Sequence, residues 1–354
     1  MALLAETIAE ISGQDQGWRG KAKARLDQLA IPHWALGRLM DLALDLAGQT
    51  RSLRPPTGRK AVITMAGDHG VAMEGVSKFP QAVTPQMVAN FVRGGAGINV
   101  LARQAGAEVI VVDMGVAADL SHLLETGRLL DRKIAWGTAN LAKGPAMSRE
   151  QAVASLEAGI GVVAGLADRY DLFGTGDMGI ANTTPSSAIA AVLTGHSASE
   201  VTGRGTGLDD GQLAAKVRVI EAALALNRPR PDDGVEVLAK VGGFEIGGIA
   251  GVILGAAARR KPVLIDGLIS TAGALIAHQL APASLDFVIA AHRSLEPGHR
   301  LMHEHLGLEP LLDLNLRLGE GTGAALAMPI VEAAARVLSE VATFAEAAVA
   351  GADK

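Results

Sequence analysis

The chain has 354 residues, 49% of them hydrophobic, which is enough to bury a core in one large domain or two smaller ones. Its 32 Lys and Arg against 37 Asp and Glu leave a net charge of −5, so the positive excess that nucleic acid or acidic lipid attracts is missing. The absence of cysteine excludes disulfides, thiolate nucleophiles and cysteine-held metal centres. The 43 glycines indicate many close backbone approaches.

The amino-terminal segment lacks the basic start and the cleavage site of a signal peptide, so we expect a cytoplasmic protein. One uncharged stretch, Gly267–Leu285, is long enough to cross a membrane. His278, Gln279 and Pro282 interrupt it, and proline would end a helix before the far side. The sequence therefore predicts a buried helix there and no membrane span.

Apolar residues three and four positions apart predict helices over Leu3–Ile11, Lys21–Leu29 and Trp34–Ala47. Residues 50–59 contain two prolines and three arginines, a composition typical of a linker. Beyond this linker, short apolar runs alternate with helix-length segments rich in alanine. The predicted strands are Ala61–Met65, Val109–Val112, Asp171–Phe173, Val263–Ile265 and Phe287–Ala290, and the predicted helices are Gln151–Ala167, Ser186–Leu193, Leu213–Leu226, Ile246–Ala258 and Leu268–Leu280.

This alternation predicts an α/β fold with a doubly wound, mainly parallel sheet. The last helical segment, Ala324–Val349, is interrupted by Pro329 and can pack against the amino-terminal helices as a small helical domain. We therefore divide the chain into residues 1–58 and 326–354, which form the small domain, and residues 59–325, which form the α/β ligand-binding domain.

Polar residues or glycines follow the predicted strands. Asp68 and His69 follow the first strand, Asp266 follows the fourth, and His292 comes shortly after the fifth. Because open α/β sheets bind ligands beyond the carboxyl ends of their strands, we expect these positions to converge on one crevice. For Asp68 and His69 a structural turn is favoured over a metal site, because no second histidine stands at ligand spacing.

A glycine-rich motif follows the third predicted strand. Gly174, Gly176 and Gly179 match the G-x-G-x-x-G pattern of backbone that approaches a pyrophosphate. The next helix start, however, is displaced to about Pro185, with Thr184 as the predicted cap. We therefore favour a mononucleotide phosphate site, while plain turn glycines and a nicotinamide-dinucleotide site remain as alternatives.

Two further Gly-x-Gly loops, Gly203–Gly207 and Gly319–Gly323, precede helical segments and could present amides to an anionic ligand. Simple loop closure is the alternative for both. In the second loop Glu320 stands between two glycines, where its side chain gains nothing from packing. A carboxylate on such a loop is well placed to transfer a proton.

Five segments together resemble one family, the nicotinate-nucleotide:dimethylbenzimidazole phosphoribosyltransferases of cobalamin lower-ligand synthesis. The resemblance covers most of the chain. The matching segments are GDHGV (Gly67–Val71), GDMGIANTTP (Gly176–Pro185), KVGGFEIGGIAGVILGAA (Lys240–Ala257), PVLIDG (Pro262–Gly267) and RLGEGTGAALAMPIVEAA (Arg317–Ala334).

The resemblance implies transfer of phosphoribose from nicotinate mononucleotide to 5,6-dimethylbenzimidazole, with Glu320 as the general base. It also implies a homodimer that uses no metal and no organic cofactor. The implied substrate-binding residues are Asp177, Gly176, Gly179, Gly205, Lys216 and Ser294 near the nucleotide, and Phe79, Met87, Met178 and Leu318 around the flat base.

Two positions depart from the family pattern. Asp177 stands where glutamate is common, and residues 31–35 replace an expected run of proline, glycine and serine. These departures motivate one alternative function, a non-catalytic relative that binds nucleotides or azoles. A second alternative, a dinucleotide-dependent oxidoreductase, depends only on the G-x-G-x-x-G match.

Overall fold

A computed structural model describes residues 2–350; residue 1 and residues 351–354 of the two predicted terminal segments lie outside it. Within the described chain there are fifteen α-helices and eight strands. The strands are β1 Lys60–Gly67, β2 Ala107–Gly115, β3 Leu129–Asp131, β4 Leu172–Met178, β5 Val263–Ile265, β6 Val288–Ala290, β7 His292–Ser294 and β8 Leu312–Leu316.

The helices before residue 150 are α1 Ala2–Glu10, α2 Gln16–Leu26, α3 Arg38–Thr50, α4 Val83–Arg93, α5 Gly97–Ala105, α6 Ser121–Leu124 and α7 Arg149–Leu166. The later ones are α8 Thr183–Thr194, α9 Ala198–Val201, α10 Asp210–Asn227, α11 Gly234–Val241, α12 Phe244–Ala258, α13 Leu268–Leu280, α14 Pro297–Leu306 and α15 Thr322–Glu340.

Six strands form one sheet in the order β3-β2-β1-β4-β5-β6, and every pairing in it is parallel. The predicted doubly wound α/β class is confirmed. The order reverses between β1 and β4, which are neighbours in the sheet although β2, β3 and the helices α4 to α7 lie between them in sequence. In such sheets the ligand crevice opens at this reversal, beyond the carboxyl ends of the two strands. A second, two-stranded parallel sheet pairs β7 with β8.

Helices cover both faces of the sheet. Successive side chains of a strand point to opposite faces, so each strand contributes to the hydrophobic packing on both sides. In β1, Ala61, Ile63 and Met65 pack into one hydrophobic cluster, with α7, α12 and α13. Val62 and Ala66 point the other way, into a cluster formed with α3, α5 and α15. Burial on both faces explains why these strands read in sequence as continuous apolar runs.

The terminal segments meet: α15 packs against α3, α2 and α5 and also against β4. The predicted end of the helix Ala324–Val349 is wrong, because α15 ends at Glu340 and residues 341–350 are irregular. Pro329, which was expected to interrupt the helix, lies inside it. Helices α4 and α5 were not predicted. Pro85 lies in the first turn of α4, and Gly94 and Gly95 separate α4 from α5. Each helix therefore has an apolar periodic pattern that is too short to be recognised in the sequence.

The uncharged stretch tested for a membrane span is the buried helix α13, as predicted. Among the described residues one helix, α15, is long and apolar enough to cross a membrane by length and composition. Its apolar window is 56% buried inside the protein. Burial of this kind is typical of a core helix packed on a sheet.

Candidate active site

A cavity of about 580 Å³ opens at the carboxyl ends of β1 and β4. It joins predicted site residues that are far apart in sequence. Of the eleven, nine line it: Phe79, Met87, Asp177, Met178, Gly179, Gly205, Ser294, Leu318 and Glu320. His292, which was expected at the crevice, lines it as well. Other lining residues, which were not proposed as site residues, include Val83, Ile180, Asn182, Thr183, Leu268, Glu296 and Arg317. A cavity of this size suits a small organic ligand.

The loop that carries Glu320 has an unusual backbone. Gly319, Glu320 and Gly321 all have positive φ, at +85°, +65° and +97°. The two glycines adopt this conformation without strain, whereas Glu320 is held in it by its neighbours. The Thr64 hydroxyl, from the centre of β1, donates to the Glu320 carbonyl at 3.0 Å. The loop is therefore anchored directly on the sheet.

Gly176 allows the Glu320 loop to lie directly against β4. It lies inside β4, and a Cβ placed on it would be 2.7 Å from the Gly321 nitrogen and would collide with the Glu320 carbonyl. Gly176 is absent from the cavity wall. The prediction that Gly174 and Gly176 belong to a phosphate loop after the strand is thus wrong: both are strand residues that give room to α15 and its preceding loop.

Glu320 is only 6% exposed as a residue and lines the cavity. Its Oε2 accepts a hydrogen bond from the Ile98 N–H at 3.0 Å, at the start of α5. Burial raises the pKa of Glu320 above its usual 4.5; the Ile98 N–H opposes this and the charge of Asp266 adds to it. A carboxylate with a raised pKa is a stronger base, which suits proton abstraction.

Asp266, directly after β5, organises this loop. Its Oδ2 accepts from the Gly321 N–H at 3.0 Å, and its Oδ1 accepts from the N–H groups of Gly323 at 2.7 Å and Ala324 at 3.1 Å. These are amino-terminal amides of α15 and of the turn before it, which a helix leaves unpaired. Asp266 therefore caps the amino terminus of α15 from a distant position in the sequence. The sequence predicted only that it follows a strand.

We expect Asp266→Asn to destabilise the protein by about 1–3 kcal/mol, because one oxygen that accepts hydrogen bonds becomes an NH₂ group facing N–H donors. The turnover number should fall as well, since the Glu320 loop loses an anchor. Urea unfolding and steady-state kinetics measure both. Asp131→Asn is the matched control: that carboxylate also accepts a backbone N–H, from Lys133, but is exposed. Parent-like stability in Asp266→Asn would contradict the capping role.

Asp177, at the end of β4, is 6% exposed. Its Oδ2 accepts from the Asn182 side-chain amide at 2.9 Å, while its Oδ1 has no hydrogen-bond partner among the described residues. Burial raises the pKa of Asp177 to about 8, and the charges of Asp266, Glu245 and Glu320 add to the rise. Asp177 therefore holds its proton up to a higher pH than an ordinary aspartate does.

The opposite end of the cavity is polar. Lys216, on α10, is 1% exposed, and its Nζ donates to the Thr183 hydroxyl at 2.6 Å, so it reaches the wall through Thr183 and does not line it. Gly205 has a φ of +49° and packs against the same two side chains. Burial lowers the pKa of Lys216 to about 8, while Glu296 favours its charged form. This end suits an anionic group.

Helix α8 begins beside this polar end, earlier than expected. Its first residue is Thr183 and its cap position is Asn182, so the prediction of a cap at Thr184 with Pro185 first is wrong by two residues. The amino-terminal turn of α8 thus borders the cavity. Its Thr184 N–H is bonded to the Ala181 carbonyl at 2.9 Å and Pro185 has no N–H, so the Thr183 N–H and the positive end of the helix dipole are what favour an anion there. Ser294 faces the same region, and its backbone N–H donates to His299 Nδ1 at 3.0 Å.

The rim near Glu320 is apolar. Phe79 and Leu318 are exposed, at 53% and 62%, whereas Met87 and Met178 are half-buried. These side chains form the walls of the cavity together with Val83 and Ile180. Flat apolar surfaces of this kind hold an aromatic ring chiefly by the hydrophobic effect.

The geometry also argues against a dinucleotide site. Although the strand order is the doubly wound one, a dinucleotide fold places its glycine motif in the turn after the first strand. Here Gly174 and Gly176 lie within β4, and Gly174 packs on Met328 and Ala324 of α15. The site therefore joins an end that suits an anion to a buried carboxylate and an apolar slot.

Comparison with known proteins identifies the class and then the family. Residues 11–349 match the family model described as phosphoribosyltransferase, and the chain is an enzyme of this glycosyltransferase type. It is 65% identical over 349 residues to the nicotinate-nucleotide–dimethylbenzimidazole phosphoribosyltransferase of Syntrophotalea carbinolica, with 99% of each chain covered. The relative of the same name from Desulfotalea psychrophila is 57% identical over 355 residues, with both chains fully covered. The chain belongs to the nicotinate-nucleotide–dimethylbenzimidazole phosphoribosyltransferase family.

A solved structure supports the same assignment. The nicotinate-nucleotide–dimethylbenzimidazole phosphoribosyltransferase from Thermus thermophilus superposes with a TM-score of 0.90 at 46% identity, over 96% of this chain and 100% of that one. The family resemblance inferred from the five sequence segments is confirmed.

Proposed function

We propose that the chain transfers phosphoribose from nicotinate mononucleotide to 5,6-dimethylbenzimidazole, releasing nicotinate and α-ribazole 5′-phosphate. The names of its relatives support these two substrates. The observation that carries the proposal is the Glu320 carboxylate at the cavity wall, with one oxygen fixed by the Ile98 N–H at 3.0 Å and an apolar slot beside it.

In this reaction one ring nitrogen of the benzimidazole attacks the anomeric carbon of the ribose. The bond from that carbon to the pyridinium nitrogen breaks, and its electron pair leaves with nicotinate as a neutral pyridine ring. The other benzimidazole nitrogen gives its proton to Glu320, for which we assign the oxygen not bonded to Ile98. No general acid is needed, in contrast to glycosidases, which use two carboxylates.

The polar end of the cavity provides the place for the phosphate. There the Ser294 hydroxyl, the Gly205 loop and the first turn of α8 meet, with the buried ammonium group of Lys216 behind Thr183. The ribose then lies beside Asp177 and Gly179, between the two ends of the cavity. The benzimidazole occupies the slot formed by Phe79, Met87, Met178 and Leu318.

Product analysis tests this proposal directly. We expect the protein to release nicotinate and form α-ribazole 5′-phosphate in equal amounts when given both substrates, and neither product when the benzimidazole is omitted. Chromatography with mass detection measures both. Binding of nicotinate mononucleotide without nicotinate release would instead indicate a non-catalytic nucleotide-binding relative.

We also propose that two copies of the chain form a homodimer. The support is the family membership alone, since the structure describes one chain. Light scattering coupled to size-exclusion chromatography should give twice the mass of the single chain; a monomer across micromolar concentrations would contradict this.

A further inference from the structure

A carboxylate stands where the nucleotide phosphate is proposed to bind. Glu296 follows β7 at the cap position of α14 and lines the cavity. Its Oε1 accepts the Gly205 N–H at 3.0 Å, one of the backbone donors at the polar end. The side chain is only 9% exposed. An anionic group of the protein is thus already bound to a donor that an anionic ligand would use.

The contact is close because the Gly203–Gly207 loop permits it. A Cβ placed on Gly203 would be 2.7 Å from the Glu296 carboxyl carbon and would collide with Oε2, so only glycine leaves room for the carboxylate. Oε2 itself is buried and has no hydrogen-bond partner among residues 2–350. A buried carboxylate oxygen without a partner is costly, which indicates that this arrangement is completed or replaced when the site is filled.

The surrounding charges fit an exchange of one anion for another. Lys216 is almost fully buried, and Glu296 is the charge that favours its ammonium form. A phosphate at this end would take over the same role. A phosphate and the Glu296 carboxylate together, however, would place two anions beside a single ammonium group, which is unfavourable in a site with little water.

We propose that the Glu296 carboxylate occupies the phosphate position in the empty enzyme and that the phosphate of the nucleotide displaces it from the Gly205 N–H. This inference depends on the proposed function, because it takes nicotinate mononucleotide as the ligand. Glu296 therefore sets the affinity for the phosphorylated substrate: it keeps the Gly203–Gly207 loop in place before binding and weakens binding by competition.

The test compares Glu296→Gln with the parent by calorimetric titration at pH 6.5, where Lys216 is protonated. Glutamine still reaches the Gly205 N–H but carries no charge. We expect E296Q to bind nicotinate mononucleotide and inorganic phosphate about tenfold more tightly, because the competing anion is gone. Nicotinate riboside, which lacks the phosphate, should bind both proteins equally. Glu304→Gln is the control, an exposed glutamate on the same helix.

Unchanged or weaker binding of nicotinate mononucleotide to E296Q would overturn the proposal, as would an equal gain for nicotinate riboside. If E296Q did not fold, Glu296→Ala carries the same expectation for phosphate-bearing ligands, and weaker binding there would show that Glu296 is only an anchor of the loop. The titrations require no turnover. If the parent showed no transferase activity but still bound inorganic phosphate more weakly than E296Q, the proposed function would be contradicted. The competition between Glu296 and phosphate would still be supported.

Discussion

Glu320→Gln should lower the turnover number by about 10²–10⁴, the usual contribution of a general base. Glutamine has nearly the same shape and keeps an oxygen for the Ile98 N–H, so the loop and the cavity should be preserved. It cannot accept the benzimidazole proton. Nicotinate mononucleotide should bind with an affinity close to that of the parent, because the groups proposed to hold its phosphate do not include the Glu320 carboxyl group.

Two measurements separate loss of the base from loss of structure. Glu340→Gln, an exposed change at the other end of α15, should have parent turnover. The pH profile of the parent should fall on the acid side as Glu320 becomes protonated, at a pH above 4.5 because burial raises its pKa. The residual rate of E320Q should lack this fall. A turnover number within threefold of the parent would remove Glu320 from the mechanism.

Asp177→Asn should stabilise the empty protein at alkaline pH. The folded pKa of Asp177 is about 8 against an ordinary 3.8, so the folded state holds the proton more tightly than the unfolded state. The resulting stability is present below pH 4 and is lost as the pH rises toward 8. Asparagine keeps an oxygen for the Asn182 amide and never ionises, so the variant avoids this loss.

The expected gain is on the order of 5 kcal/mol above pH 8, since one pKa unit corresponds to about 1.4 kcal/mol. At pH 4 the two proteins should be equally stable. Urea unfolding across pH 4–9 measures the free energy of unfolding of the variant and of the parent. Subtracting one from the other cancels the contributions of the other titrating groups. A constant difference across this range would show that Asp177 is not held protonated. The control is Asp113→Asn, near the end of β2, which removes a buried carboxylate that is paired with Lys133.

Asp177 also links binding to protonation. In the proposed reaction nicotinate mononucleotide brings a pyridinium cation to the cavity, and a nearby cation favours the ionised carboxyl. We therefore expect binding at neutral pH to release protons, which calorimetry in buffers of different ionisation enthalpy detects. Asp177→Asn should abolish that release. At neutral pH, substrate binding would then increase the negative charge of Asp177.

The sequence predicted the sheet well because its signal is local. Buried strands such as β1 and β5 are short apolar runs, and the helices after them have their own periodicity. Glu320 could also be found locally, since a carboxylate between two glycines has no packing role. The Gly203–Gly207 loop was a candidate anion site for the same reason, and its Gly205 lines the cavity.

Other parts of the site could not be predicted, because they depend on contacts between distant residues. Asp266 caps amides 55 to 58 positions away, and the Ile98 N–H that fixes Glu320 comes from 222 positions away. Gly176 looked like a phosphate-loop glycine, and only the packing of the Glu320 loop against β4 shows that it provides room. Nothing in the sequence near Glu296 indicates that its carboxylate meets Gly205.

By itself, then, the sequence determined the α/β class, the family and the residue types available for chemistry, since these follow from local periodicity, composition and motifs. The tertiary structure decided which carboxylates are buried, which amides they accept and which of them hold a proton. Those properties depend on the distance between groups and on the exclusion of water, and both arise only when the chain has folded around the cavity.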